Sequence, residues 1–264
     1  MNLVMGGNHK LALEVLKSLV KNFEKPKLVI SEGLDSVWET NFENEGGELA
    51  KKEGIKFFVG DINSFENEIT EVNPDLIILC RCKKRIQSKI LNIPKIGCTN
   101  IHYGLLPRYG GIAPIHWAIR NGEEEIGITF QFMSEEFDEG DVIAQETYST
   151  KGPKRTVNIC GKIFEINGIT SWEAYNIAND LGLKLFQENF EKMKNEKFSR
   201  KKQNLQNKLY YTKDSIDYQK DRILNLNEKS NIEISNLIRA FTFPPCQLPA
   251  TYINNELVEL KIES

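Results

Sequence analysis

Pro74-Asp75-Leu76-Ile77-Ile78-Leu79-Cys80 decides the fold class: two turn-favouring residues, then five apolar ones with no polar residue between them. A strand with one wet face alternates; an uninterrupted apolar run is buried on both faces, as in a parallel sheet covered by helices. Toward the N-terminus the same logic gives a polar helix from about Ser64 to Val72, a strand Ile55–Val59 and a helix Glu48–Glu53. Before these come a strand Lys27–Ile30, a helix His9–Val20 with Leu11, Leu13, Val15, Leu16 and Leu19 apolar, and a first strand Leu3–Met5. Downstream, a basic helix from Lys83 to Leu91, ended by Pro94, leads into a strand Cys98–His102. Strand and helix alternating at this spacing predict an α/β, Rossmann-like, mostly parallel sheet with helices on both faces and right-handed crossovers. Such sheets bind ligands beyond the carboxyl ends of their strands, which puts Gly6–Asn8, Cys80–Cys82 and Asn100–His102 on one rim. Gly6-Gly7 lacks the three glycines and the downstream acid of a dinucleotide fingerprint, so it is read as a tight turn that a substrate can still approach.

The chain has 264 residues, 40% hydrophobic and 27% charged, enough for a real core. A net charge of -3 gives no concentrated basic surface for nucleic acid. No apolar run has the length of a membrane span, and Met1-Asn-Leu-Val-Met-Gly-Gly7 has neither the charged flank nor the apolar core of a signal peptide. The expectation is a cytoplasmic protein that does not bind membranes. Five scattered cysteines (Cys80, Cys82, Cys98, Cys160, Cys246) suit a reducing compartment, and Cys80 and Cys82 have no second ligand pair for zinc. No metal is expected.

After the central region, Thr156–Ile159 and Lys162–Ile166 flank a glycine turn and read as a hairpin inserted at about 151–169. Thr170 and Glu173 form a capping-box signature for a helix carrying Trp172, Tyr175, Leu181, Leu185 and Met193, expected along the sheet's edge. The basic tract Lys192–Lys208 reads as a solvated helix end and linker. From Tyr210 the texture changes, with a helix Ser230–Ala240 and a closing hairpin around Ala250–Asn255 and Leu257–Leu260. This gives a domain over 1–208 and a small C-terminal α+β subdomain over 209–264.

The chemistry concentrates in Asn100-Ile-His102-Tyr-Gly-Leu-Leu-Pro107-Arg-Tyr-Gly-Gly111, Ala113-Pro-Ile-His-Trp117-Ala-Ile-Arg-Asn121-Gly122 and Phe137-Asp138-Glu139-Gly140-Asp141-Val-Ile143-Ala-Gln145. Asn100 and His102 lie two apart on a strand and so share a face. His9 begins a helix, and His116 sits inside the Pro114–Asn121 helix as a packing or surface residue. Asp138, on a glycine turn, can orient His102. The pattern alone leaves open both a catalytic and a structural histidine.

The order Asn100-Ile-His102, Leu105-Leu-Pro107, Gly111, Pro114, Trp117-Ala-Ile, Asn121-Gly122, Gly127-Ile-Thr129, Asp138-Glu-Gly140, Ile143 and Gln145 resembles the signature of formyltransferases that use 10-formyltetrahydrofolate. Weaker similarity runs through the whole chain. The resemblance implies that Asn100, His102 and Asp138 are the catalytic trio, with formyl transfer to a primary amine. It implies a folate slot between the strand end at Cys80, Arg81 and Cys82 and the loop holding Phe137, Glu139, Gly140 and Val142. For Arg81 the alternative is a surface cation opening the next helix. The acceptor is expected against Asn8, Tyr103, Arg108, Tyr109, Tyr211 and Phe243. Tyr210, Tyr211, Phe241 and Phe243 either flank a nucleobase or fill core. Two departures stand out: Gly104 where the family often has Ser, and Gly110 where it often has Arg, whose bidentate donor is then lost unless Arg108 replaces it.

Within the family, methionyl-tRNA formyltransferases carry a larger basic C-terminal domain. Glycinamide ribonucleotide formyltransferases usually stop near the helix that ends here around Lys194. Sugar N-formyltransferases are similar in length, and Ile238-Arg-Ala-Phe241-Thr-Phe243-Pro244 looks like theirs. The resemblance therefore implies a folate, a nucleotide-linked amino sugar and a homodimer formed through the C-terminal region. A folate- or nucleotide-sugar-binding protein with a dead site is the reading from another class.

Overall fold

The computed structural model describes residues 1–33, 42–82, 84–159 and 161–262. Lys83, expected to open a helix, and Cys160, one of the five scattered cysteines, lie outside the described residues. In chain order the elements are β1 (Leu3–Gly7), α1 (His9–Asn22), β2 (Leu28–Ser31), α2 (Gly47–Glu53), β3 (Lys56–Val59), α3 (Glu66–Val72), β4 (Leu76–Cys80), α4 (Ser88–Leu91) and β5 (Gly97–His102). There follow β6 (Gly110–Gly111), α5 (Pro114–Arg120), β7 (Glu125–Phe132), β8 (Val142–Ser149), β9 (Lys154–Ile159), β10 (Lys162–Asn167) and α6 (Ser171–Lys194). The tail holds β11 (Tyr210–Tyr211), α7 (Tyr218–Asp221), α8 (Asn231–Phe241), β12 (Ala250–Ile253) and β13 (Glu256–Glu259).

Seven strands form the main sheet in the order β3-β2-β1-β4-β5-β7-β8; β7 runs antiparallel to both β5 and β8, and the other pairs are parallel. All of β4 is buried, as its unbroken apolar run requires. One core lies beneath α1 and α6; a second, including Ile69, Ile77, Leu79, Ile86 and Ile90, lies on the opposite face. This is the doubly covered α/β sheet that the sequence implies.

Two local expectations need correction, and a third stands. The basic helix after β4 shrinks to the single turn α4, because Asn63 captures the backbone before it can coil. The Asn63 side chain donates to the Arg85 carbonyl at 3.0 Å and accepts from the Gln87 N–H at 2.8 Å. The helix α6 keeps its capping box, Thr170 with Glu173, and packs on α1 and over β7 and the edge strand β8. Gly182 permits this, since a β-carbon there meets Leu11 at 3.2 Å and Ile101 at 3.6 Å. The basic tract after α6 is more than a solvated linker: Lys201 exchanges both backbone hydrogen bonds with Val142, at 2.8 and 2.9 Å.

The tail is woven into the rest. β11 pairs in parallel with β6, and α8 packs against α5 and β10. His116 explains part of that seam. It is buried, donates from Nδ1 to the Ala240 carbonyl at 3.0 Å and meets the Phe241 ring at 4.6 Å. Burial pulls its pKa down to about 4.

Candidate active site

The floor of the site is one face of β5 and β7. Asn100 pairs across the strands with Gln131, and His102 with Thr129. Directly opposed residues of an antiparallel pair project to the same side, so carboxamide, imidazole, amide and hydroxyl lie side by side. The Oδ1 of Asn100 accepts the Cys82 N–H at 3.2 Å, which leaves the Nδ2 group as the amide's donor end. His102 is 8% exposed, and its Nε2 lies 2.8 Å from the Tyr109 carbonyl. A carbonyl only accepts, so Nε2 carries the proton. Nδ1 faces Asp138 Oδ1 at 3.6 Å.

Asp138 arrives from the loop after β7 with a left-handed φ of 56°. Its Oδ2 accepts the Gly111 N–H at 2.8 Å, and its Oδ1 accepts from Gln131 Nε2 at 3.0 Å. The carboxylate is thus aimed at His102 from two sides. Each ring nitrogen of His102 therefore faces an oxygen atom.

Gly104 is the residue that lets the imidazole and the Tyr109 carbonyl meet. A β-carbon on Gly104 falls 2.2 Å from that carbonyl oxygen and 2.7 Å from His102 Nε2. Serine at this position is incompatible with the bond as it stands. Gly110 has a different neighbour: a β-carbon there falls 2.9 Å from the ring of Tyr210 and 3.5 Å from Asp138 Cβ. The tail's tyrosine therefore occupies the space beside the carboxylate. Burial and the nearby Asp138 charge both raise the Tyr210 phenol's pKa.

Residues expected to border a folate slot have varied employment. Cys80 is fully buried, and burial drives its thiol's pKa up; only its backbone can face a ligand. Arg81 is neither a surface cation nor a helix opener. Its guanidinium lies 5.0 Å from the Tyr103 ring and 4.9 Å from the Tyr175 ring, and it donates to the Tyr175 hydroxyl at 2.5 Å. Cys82 Sγ donates to Glu32 at 3.0 Å. Phe137 is exposed, Glu139 pairs with Lys208 at 2.5 Å, the Gly140 carbonyl accepts from Gln203 at 2.7 Å, and Val142 is laddered to Lys201.

The opening itself lies one step along the same strands. A cavity of about 390 Å³ is lined by residues that include Leu91, Cys98, Phe132, Met133, Glu135 and Arg200. Cys98, Asn100 and His102 alternate on one face of β5, so this cavity is ~7 Å from Asn100 along the strand. A volume in this range suits a small-molecule pocket. Across its mouth Arg85 donates to the Glu135 carbonyl at 2.7 Å and Ser88 to the Glu135 carboxylate at 2.5 Å. Gln131 and Met133 were readable from the alternation in Gly127–Met133; sequence reasoning passed over them because neither is a usual acid or base.

Residues 47–159, which contain Asn100, His102 and Asp138, match the formyl transferase family. These residues make up a formyl transferase domain within the chain. The chain is 36% identical over 198 residues to the methionyl-tRNA formyltransferase of Malacoplasma penetrans, covering 75% of this chain and 56% of that protein. To the methionyl-tRNA formyltransferase of Alkaliphilus oremlandii it is 32% identical over 210 residues, 74% of this chain and 60% of that one. It thus spans little more than half the length of these curated relatives. Among solved structures it resembles the N-formyltransferase of Helicobacter canadensis in complex with folinic acid and dTDP-3-aminofucose: TM-score 0.73, 25% identity, 97% of this chain and 85% of that one. WlaRD, a sugar 3N-formyl transferase solved with dTDP and 5-N-formyl-THF, gives 0.71 and 25% over 97% and 83%.

The residues expected to face an acceptor divide. Asn8 is buried and donates to the Gly33 carbonyl at 2.9 Å while accepting from Ser31 at 3.2 Å, so its side chain is committed to the end of β2. Tyr103 turns to α6, donating to Asn179 Oδ1 at 2.8 Å. Arg108 does not stand in for an arginine at 110: it pairs with Glu123, which also accepts the Tyr109 hydroxyl at 2.6 Å. Tyr211 is stacked on Trp117 at 4.1 Å and bonded to Asn121 at 2.9 Å, a packing role. Phe241 is core, and Phe243 meets Trp172 and Tyr175 edge-on at 5.1 and 5.5 Å. Tyr210 is the aromatic residue of the tail beside the trio. Among the described residues no group of three or more His, Cys, Asp and Glu is placed to hold a metal ion, and no helix is long and apolar enough to cross a membrane.

Proposed function

We propose that this protein transfers the formyl group of 10-formyltetrahydrofolate to the primary amine of a nucleotide-linked amino sugar. The acceptor class to test first is a dTDP-4-amino-4,6-dideoxyhexose such as dTDP-4-amino-4,6-dideoxyglucose, with the product destined for a surface polysaccharide such as O-antigen. The observation that carries this reading is the Asp138 carboxylate 3.6 Å from His102, on the strand face that also presents Asn100. Two sugar formyltransferase structures that align with 97% of the chain, tail included, support it.

In this reading the folate's ring occupies the 390 Å³ cavity beside Cys98, and its formyl-bearing nitrogen extends toward Asn100 along β5. Attack by the neutral amine puts negative charge on the formyl oxygen. The Nδ2 group of Asn100 donates to that oxygen, and loss of such a donor costs about 3 kcal/mol of transition-state stabilisation. His102 keeps its Nε2–H on the Tyr109 carbonyl, so Nδ1, beside Asp138, is where a proton is exchanged. Asp138 stabilises the imidazolium and fixes the ring. Collapse of the tetrahedral adduct breaks the bond between the formyl carbon and the folate nitrogen; the attacking nitrogen gives up a proton and the leaving folate nitrogen takes one, an exchange that His102 serves in either order. Tyr210 forms the wall beside Asp138, an aromatic face suited to a sugar ring.

A second reading, formyl transfer to methionyl-tRNA, is favoured by the 32–36% identity to proteins of that name. The deciding experiment measures tetrahydrofolate release from 10-formyltetrahydrofolate with a panel of nucleotide amino sugars, charged initiator tRNA and glycinamide ribonucleotide, for wild type and His102→Ala. Release that requires an amino sugar and disappears in the variant supports the proposal. Release with tRNA alone, at a rate falling steeply with salt, replaces it with the second reading, and folate binding without turnover on any acceptor replaces it with a binding protein.

A further inference from the structure

Beyond α6 the chain doubles back as a strap over the loop that carries Asp138. Lys201 fastens one end of the strap to Val142 through the backbone, and Lys208 fastens the other to Glu139. Between the two fastenings lies Gln203. Its Nε2 is 2.9 Å from the Asp138 carbonyl, 2.7 Å from the Gly140 carbonyl and 3.4 Å from Gln131 Oε1. The two short contacts take the amide's two protons; the third is marginal. Gln131 in turn donates to the Asp138 carboxylate. Gln203 therefore touches the turn and the residue that aims the carboxylate, without touching His102.

Asp138 adopts a left-handed backbone that is strained for a residue with a side chain, so neighbouring groups must hold it there. Gly111 and Gln131 hold its carboxylate end. At the backbone end two carbonyl oxygens converge on one point, which calls for a donor and rejects an anion.

We propose that Gln203 is a positioning residue for the proposed formyl transfer: its amide, bridging the Asp138 and Gly140 carbonyls, keeps the Asp138 carboxylate directed at His102. The inference rests on the formyl-transfer reading for its kinetic consequence and on geometry alone for its structural one. Gln203 lies 65 residues beyond Asp138, in a stretch that local pattern marks only as basic.

Gln203→Glu tests it, because the side chain keeps its shape while a carboxylate replaces the donor. Hydrogen exchange of the 137–142 segment in the ligand-free protein should quicken about tenfold, the factor that follows from ~1.5 kcal/mol for one such bond. In the formyl-transfer assay kcat should drop by about 10- to 100-fold while KM for the acceptor stays within about twofold, as expected for a misplaced catalytic group. The defect should shrink as pH is lowered and the introduced carboxyl regains a proton to donate. Gln203→Ala should show the same rate loss with no recovery at low pH, which separates positioning from general damage to the strap. Exchange and pH profile equal to wild type in both variants would overturn the inference. If the wild type transfers formyl to none of the acceptors, the functional reading fails, and the exchange measurement still decides whether Gln203 holds the turn.

Discussion

A single methyl group at position 104 tests the geometry around His102. Gly104→Ala introduces no backbone penalty, since φ there lies outside the left-handed region. The whole effect comes from contact: the new carbon lies 2.2 Å from the Tyr109 carbonyl oxygen, 2.7 Å from His102 Nε2 and 3.0 Å from Pro114 Cβ. A carbon and a carbonyl oxygen rest at about 3.3–3.6 Å, so the carbonyl must withdraw by more than ~1 Å. That stretches the 2.8 Å bond to His102 beyond hydrogen-bonding range. Overpacking costs about 1–3 kcal/mol of stability. Misplacing a catalytic group by ~1 Å costs about 100-fold in rate. We therefore expect kcat for formyl transfer to fall by about two orders of magnitude, with a melting temperature lowered by only a few degrees. The assay is tetrahydrofolate release under saturating substrates beside a thermal melt. A variant with wild-type kcat would refute the argument that the Tyr109 carbonyl holds the imidazole.

Three further outcomes are expected. Asp138→Asn replaces one acceptor oxygen with an NH2 that must face either Gly111 N–H or Gln131; the fold should persist while the rate near neutral pH drops at least ~10-fold, and a wild-type pH–rate profile would count against the pairing with His102. His116 is neutral in the folded protein down to about pH 4, whereas in the unfolded chain it takes a proton near its ordinary 6.5. Between those values the unfolded state binds more protons, so stability falls as pH drops, by on the order of 3 kcal/mol in all; in denaturant titrations from pH 7 to 4, His116→Phe should lose that slope, and an unchanged slope would contradict it. Leu257 is 44% exposed and Tyr252 61% exposed on the terminal hairpin, the surface where a homodimer contact is expected; Leu257→Asp should yield monomers in sedimentation, and an unaltered profile would retire that interface.

The parts of the fold readable in the sequence are those governed by local burial. β4 is marked at both ends by its apolar run, and the capping boxes at Thr170 and Ser230 start α6 and α8. Where a distant side chain competes with local propensity, reading fails: Asn63 unwinds the start of the basic helix. The site shows the same division. Strand alternation puts Asn100 and His102 on one face and a glycine turn follows Asp138, but that the three belong to one site is what the family resemblance implies. The Tyr109 carbonyl on His102 leaves no side-chain signature at all, because a backbone group makes the contact. Tyr210 and Gln203 reach the loop from far along the chain. Arg108 has the right charge but is drawn to Glu123.

The central claim is that the Asn100 amide serves the charge that appears on the formyl oxygen during transfer, and single-turnover kinetics of Asn100→Ala measured together with its equilibrium affinity for the folate tests it most directly. The account predicts a rate lowered by about 100- to 1,000-fold with folate affinity within about twofold of wild type. An affinity lost by that factor with the single-turnover rate unchanged would contradict it.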